Sequence, residues 1–289
     1  MPSLRSLGVE VFWKLAPYMP DSLRLKTHFY WVHKSWPDLA RPQSFSEKLQ
    51  WRKLHDRRPL LTTFADKVKV RDYVKQTVGE RYLTDLYWVS DDPRTLRFED
   101  LPQKFVLKAN HGTRWNILVP DKTQANRDEC AAQLQQWLQD RYPVERCEWG
   151  YHDVEPLAFA EEFLMTRAGI VPPDFKFFVF HGKARLIQVD LDRAIEHTRC
   201  LYDPDWNLLP VVLGYPSGRG IDRPENLAEL MRVAEQLAGD IDFVRVDLYN
   251  VDGRIVFGEL TNYPGGGLEE FTPPSFDTEL GRWWTPTVR

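Results

Sequence analysis

The chain has 289 residues, of which 43% are hydrophobic and 28% charged, with a formal net charge of -4. That length and apolar content exclude a disordered chain, and the mild acidity excludes general attraction to nucleic acid. Three cysteines (Cys130, Cys147, Cys200) with no Cys-x-x-Cys spacing argue against a disulfide framework. The chain also lacks a run of about 18 apolar residues and the apolar stretch of a secretory signal. These features together place the protein in the cytoplasm.

In chain order, residues 1 to 36 come first. Leu4, Leu7, Val11 and Leu15 recur at helical spacing, followed by the aromatic-rich run His28 to Trp36. Arg5, Lys14, Arg24, Lys26 and Lys34 outnumber Glu10 and Asp21, so this amphipathic segment either packs on the body of the protein or touches an anionic membrane at its inner face. Ser44 with Glu47 is a capping-box pattern that opens a helix. A further helix is predicted from about Asp66 to Gln76, with Lys67 at its start. Phe105 to Ala109 and Trp115 to Val119 read as paired strands, Arg127 to Arg141 as a helix, and Leu157 to Leu164 as a short strand. Asp174 to Phe180 and Arg185 to Asp190 form a hairpin through His181-Gly182, and Pro224 to Ala238 is helical. Helices among mostly antiparallel strands make an α+β protein.

The hairpin Phe243 to Tyr249 and Arg254 to Asn262 carries the sharpest chemistry. Its first strand alternates Phe243, Arg245, Asp247, Tyr249 against Val244, Val246, Leu248, so one face is core and the other does something else. A three-residue loop, Val251-Asp252-Gly253, pairs residue 245 with 259 and 247 with 257, and sets Arg245, Asp247 and Glu259 on one face. A two-residue loop at Asp252-Gly253 pairs 247 with 258 and turns Glu259 away. In the first register the two carboxylates suit a hard cation such as magnesium. Lys108 leaves its strand into Asn110-His111-Gly112-Thr113, a loop able to hold phosphate oxygens.

The series DK at 66 to 67, FVLKANHG at 105 to 112, AEEFL at 160 to 164, DFKFFVFHGK at 174 to 183, RVD at 245 to 247 and GELTNYPGG at 258 to 266 resembles the ATP-grasp superfamily, and more narrowly the TupA-like family, named for a role in making the cell-wall polymer teichuronopeptide. The likeness runs over roughly residues 40 to 275. It implies an ATP-grasp fold over residues 61–289 in which the nucleotide lies between two α+β subdomains; a helical segment, residues 1–60, precedes it where many relatives have an open α/β domain, and the N-terminal helix is outside the likeness. The central, lid-like subdomain would span about 105–165 and the metal-binding one about 174–275. It implies ATP and Mg2+ as cofactors, with Lys67, Lys108, His111 and Gly112 on the phosphates and Glu161, Glu162, Phe163 and Leu164 near the adenine and ribose. Asp247 and Glu259 would hold the metal. Many relatives place Asn two residues after that Glu. Thr261 stands there instead, which leaves Asn262 as the candidate third ligand. Arg245 would neutralise charge during phosphoryl transfer, assisted by Lys176.

The implied reaction joins a carboxylate to an amine, here a sugar acid or other polysaccharide precursor and an amino acid. Arg193, His197 and Arg199 suit such an anionic substrate; the alternative is a surface loop whose charges pair among themselves. His111 and His197 are candidate general bases beside a plain structural role. A competing reading is a sugar-nucleotide glycosyltransferase with a metal at Asp190 and Asp192.

Overall fold

A computed structural model describes residues 12–191 and 197–287. Helix α1 (Asp21–His33) ends where Lys34 turns left-handed, at φ 57°. It buries Leu25 and Phe29, and also Arg24, whose guanidinium donates to the Met19 and Val144 carbonyls and to Asp21. Leu4, Leu7 and Val11 lie outside the described residues. Helix α2 (Phe45–His55) has the expected capping box: the Glu47 amide donates to Ser44 Oγ at 3.2 Å, and the Glu47 carboxylate accepts from the Ser44 amide at 3.1 Å. Helix α3 (Pro59–Ala65) starts on a proline, which suits the first turn.

Helix α4 (Lys69–Thr77) begins three residues later than the sequence suggests. The Asp66 carboxylate accepts from the Val68 and Lys69 amides and so acts as an N-terminal cap, which holds Lys67 in the loop before the helix.

The strands form two main antiparallel sheets. The first contains β1 (Leu86–Ser90), β2 (Phe105–Ala109), β3 (Asn116–Val119) and β4 (Ala158–Glu162), in the order β1-β4-β2-β3. Helix α5 (Arg127–Gln139) covers one face, with Cys130 and Leu134 on Phe105, Leu107, Ala158 and Ala160. Strand β1 lies N-terminal to residue 105, so this sheet draws on more of the chain than the motif-bearing segment alone.

The second sheet contains β5 (Asp174–Phe180), β6 (Lys183–Leu191), β7 (Thr198–Tyr202), β9 (Phe243–Val251) and β10 (Arg254–Thr261), ordered β10-β9-β5-β6-β7. The short strands β8 (Val212–Leu213) and β11 (Phe271–Thr272) pair beside it. On one face Phe177, Val179, Ile187, Val244 and Val246 pack under α6 (Leu227–Ala238) together with Val70 and Val74 of α4. The other face is divided. Phe178, Phe180, Leu186, Leu201 and Phe243 form a second core under Phe45 and Leu49 of α2 and Phe276, Leu280 and Trp284, the first two of these from α7 (Ser275–Arg282). Each fully buried phenylalanine contributes roughly 2–3 kcal/mol, so α2 is anchored on the C-terminal sheet rather than tethered to it. The remaining half of that face carries charge, and it is nevertheless buried.

Candidate functional site

On the first sheet, cross-strand alternation places Lys108, Val106, Phe159 and Glu161 on the face away from α5. Lys108 and Glu161 form an ion pair at 2.5 Å, and the Thr84 hydroxyl donates to the second Glu161 oxygen at 2.7 Å. Burial pushes the Glu161 carboxyl up, but Lys108, Thr84 and Arg71 bring it below its ordinary value, so it stays ionised. Glu162, next along β4, points the other way. It is held by Arg254 of the second sheet at 2.7 Å and 2.9 Å, a clamp between the two sheets. Phe163 and Leu164 continue half-buried into the connection toward β5.

Lys67 donates from its backbone to the Asn110 carbonyl and from its ammonium to the Gly112 carbonyl. The loop after β2 is therefore bound to the turn before α4. An added Cβ on Gly112 would meet the Trp115 ring at 2.4 Å, so only glycine allows the loop to close this tightly. His111 is turned from this site: its ring nitrogens face Asn110 Oδ1 and the Trp137 carbonyl, and it is buried against Trp115.

On the second sheet the hairpin solves the register in a way neither expected loop provides. The turn is the two-residue Asp252-Gly253, both left-handed (φ 51° and 94°), with Arg254 opposite Val251. That register alone would turn Glu259 away. A β-bulge at Gly258 shifts the pairing by one, so Glu259 lies opposite Asp247 and Thr261 opposite Arg245, correcting the 245–259 and 247–257 pairing. An added Cβ on Gly258 would stand 3.1 Å from the Asp247 carbonyl and from the Tyr249 ring.

Arg245 grips Asp247 through two bonds of 2.7 Å and reaches Glu259 at 3.1 Å and Thr261 at 3.0 Å. Lys176, opposite Asp247 on β5, donates to Asp247 at 2.8 Å and also to Asp174. Asp247 is 2% exposed. Burial alone would raise its pKa; Arg245 and Lys176 instead lower it to about 2. The outer carboxylate, Glu259, is 41% exposed and so faces the open side. Asp247 and Glu259 are thus oxygen donors of the type a divalent cation takes, bridged here by a guanidinium. Among the described residues no three His, Cys, Asp or Glu side chains cluster to hold a metal. Asn262 does not join the pair: it follows the end of β10 and donates to the Leu61 carbonyl at 2.7 Å.

The two sheets meet electrostatically at Lys67. Burial pushes its ammonium down to about 8; Glu259 on the second sheet opposes that, Lys108 adds to it, and Asp66 and Glu161 oppose it again. The Tyr151 ring, stacked on Tyr142, stands 6.0 Å from the same ammonium.

In the candidate substrate region the described charges pair among themselves, the alternative that the sequence left open. Arg193 and Asp192 lie outside the described residues. Arg199 is buried and neutralised, donating to Asp190 at 2.7 Å and Glu269 at 3.0 Å; His197 is 3.3 Å from Asp190. Asp190 is therefore engaged by a cation already. Sequence reasoning noted Thr261 only as a departure from the family pattern and passed over Thr84, Arg71, Tyr151, Asp174 and Arg254 as site residues. Of these only Asp174 had a signal, its two-residue spacing from Lys176.

No curated protein sequence matches the chain. Among solved structures it is similar to a D-alanine–D-alanine ligase from Bacillus anthracis complexed with ATP, at 15% identity and a TM-score of 0.44, covering 70% of this chain and 57% of that one. It is also similar to an N5-carboxyaminoimidazole synthase from Aspergillus clavatus in complex with ADP, at 12% identity and a TM-score of 0.45, covering 75% and 50%. A third is the ATP-grasp ligase PsnB complexed with minimal precursor, at 13% identity and a TM-score of 0.41, covering 71% and 54%. The chain thus covers 50% to 57% of the length of these proteins. Residues 47–284 match the family model described as TupA-like ATPgrasp, a stretch that takes in Lys67, Lys108, Glu161, Lys176, Arg245, Asp247 and Glu259, and the chain belongs to that family.

Proposed function

We propose that the protein is an ATP-dependent, ADP-forming ligase that joins a carboxylate to an amine through an acyl phosphate. The acid would be a sugar acid or related precursor of a bacterial surface polysaccharide, and the amine an amino acid. The observation that carries the reading is that Lys67 is bonded to the loop that follows Lys108, while the Arg254–Glu162 pair ties that sheet to the one carrying Arg245, Asp247 and Glu259. Membership of an ATP-grasp family supports ATP as the nucleotide.

In this reading Lys67 and Lys108 bind phosphate oxygens as point charges, and Glu161 keeps Lys108 aimed. Asp247 and Glu259 would hold Mg2+, which when bound would neutralise negative charge on the nucleotide. A substrate carboxylate oxygen attacks the γ-phosphorus and ADP leaves. Arg245 stabilises the negative charge spread over the transferring group, held in position by its two bonds to Asp247. The amine then attacks the acyl carbonyl and inorganic phosphate departs, leaving an amide. Lys176, fixed between Asp174 and Asp247, acts by orienting Asp247.

The test is incubation of the full chain with ATP, magnesium, pooled uronic acids and pooled amino acids, followed by mass spectrometry for a product of acid plus amine less water. Hydroxylamine in place of the amine should trap the acyl phosphate as a hydroxamate. ADP release that depends on no acid, or that survives Glu259→Gln, overturns the reading.

A further inference from the structure

Among the described residues fourteen large hydrophobic side chains are exposed, and six of them fall between residues 13 and 36: Trp13, Leu15, Tyr18, Leu23, Tyr30 and Trp36. Four of the five exposed aromatic residues are in this short stretch. Isolated exposed apolar residues are ordinary, but a concentration of this kind marks a contact surface. On α1 the residues Leu23, Lys26, Thr27 and Tyr30 are spaced three and four apart, so they share the stripe opposite the buried Leu25 and Phe29. Trp36 extends that stripe by stacking on Tyr30, with ring centroids 4.7 Å apart.

Among the described residues the unpaired charge on this surface has one sign. Lys14, Lys26 and Lys34 have no described carboxylate within ion-pair distance, and the Lys34 ammonium only meets the Trp31 carbonyl. The neighbouring acids are engaged elsewhere. Asp21 is paired with Arg24, Asp38 caps the Ala40 and Arg41 amides, and Glu47 accepts from the Asp38, Gln43 and Ser44 amides. Tryptophan and tyrosine rings rimmed by unpaired lysines match the headgroup layer of an anionic bilayer, where aromatic bodies sit among the acyl ends and ammonium groups meet lipid phosphates.

We propose that the face formed by Leu23, Tyr30 and Trp36 with Lys26 and Lys34 docks the protein on an anionic lipid surface. No described helix is long and apolar enough to cross a membrane, so the contact is peripheral. Docking of this kind brings the catalytic body to lipid-borne material without a spanning segment. The inference does not depend on the ligase reading, because its test uses neither nucleotide nor substrate.

The experiment is co-sedimentation of the full chain with vesicles of phosphatidylcholine alone and of phosphatidylcholine with phosphatidylglycerol. Binding is expected only to the second, and it should weaken at high salt. Lys26→Ala with Lys34→Ala should lower the affinity roughly 30-fold, at about 1 kcal/mol per lysine. Tyr30→Ser with Trp36→Ser should abolish binding while leaving the melting temperature unchanged, and the lysine pair keeps the test valid if that variant folds poorly. Three results overturn the proposal: no sedimentation with anionic vesicles, sedimentation undiminished in both variants, or a concentration-dependent dimer that Tyr30→Ser with Trp36→Ser dissolves.

Discussion

Stability and nucleotide binding pull in opposite directions at Lys67. Burial brings its ammonium from the ordinary 10.5 to about 8, so carrying the proton near neutral pH costs on the order of 3 kcal/mol relative to the unfolded chain. Between pH 8 and 10.5 the unfolded chain holds a proton that the folded chain has released. The unfolded state therefore binds more protons, and stability rises with pH across that window; below it the penalty is fully present. Lys67→Met keeps the aliphatic stem and removes the charge, while the lost bond to the Gly112 carbonyl offsets about 1 kcal/mol. A net gain of about 2 kcal/mol follows, or a rise in Tm of roughly 4 °C for a chain of this size without nucleotide at neutral pH. A triphosphate reverses the preference. Wild type at a hundredfold excess of ATP and magnesium over Kd gains about 2.7 kcal/mol, and Lys67→Met should lose most of that gain. Thermal denaturation with and without nucleotide measures both effects. A variant that melts below wild type when nucleotide-free, or that keeps the full nucleotide-induced rise, refutes the reasoning.

Glu259→Gln should reduce ATP turnover at least about 100-fold with Tm nearly unchanged, because this carboxylate is partly exposed and the buried Arg245 keeps its two bonds to Asp247; ADP release and a melting curve check it. Asp247→Asn should also stop turnover but should destabilise the protein by about 3–5 kcal/mol, since Arg245 and Lys176 are left buried without their shared carboxylate; denaturant unfolding distinguishes it from Glu259→Gln. Lys108→Ala should chiefly weaken ATP binding, by an order of magnitude or more, and leaves Glu161 held by Thr84 alone at hydrogen-bond distance; calorimetric titration with ATP tests it. Gly258→Val should lose turnover while far-ultraviolet circular dichroism stays close to wild type, because its side chain would press on the Asp247 carbonyl.

Local signals predicted most elements that depend on neighbouring residues. The Ser44–Glu47 box sets the start of α2, period-two alternation identifies β9, and short apolar runs identify β2 and β5. Elements that depend on distant partners escaped. Strand β1 is half-exposed and carries no clean alternation, and it pairs with β4 some seventy residues on. The burial of the charged face of β9 was equally illegible, since alternation marks a second face without saying what covers it, and Lys176, which bonds to Asp247 there, lies 71 residues away. For Arg199 the sequence left a substrate ligand and a paired surface charge both open, because its partners, Asp190 and Glu269, lie nine and seventy residues away.

The pairing of Asp247 with Glu259 shows why a site can be chemically legible and geometrically hidden. Residue types alone indicate two carboxylates within one hairpin, but their faces depend on a parity that turn length and bulges each reverse. Asp252-Gly253 is a strong signal for a two-residue turn, and by itself it separates the carboxylates. Gly258 restores them, and it stands one residue before Glu259, where the absence of a side chain lets the strand press against the Asp247 backbone. The GEL triplet is therefore more than a glutamate with neighbours: the glycine aims the glutamate. The same bulge places Thr261 where its hydroxyl bridges Arg245 and Glu259. A threonine at that position thus supports the guanidinium, and the amide of Asn262, just past the strand's end, is left to secure β10 to α3 through Leu61.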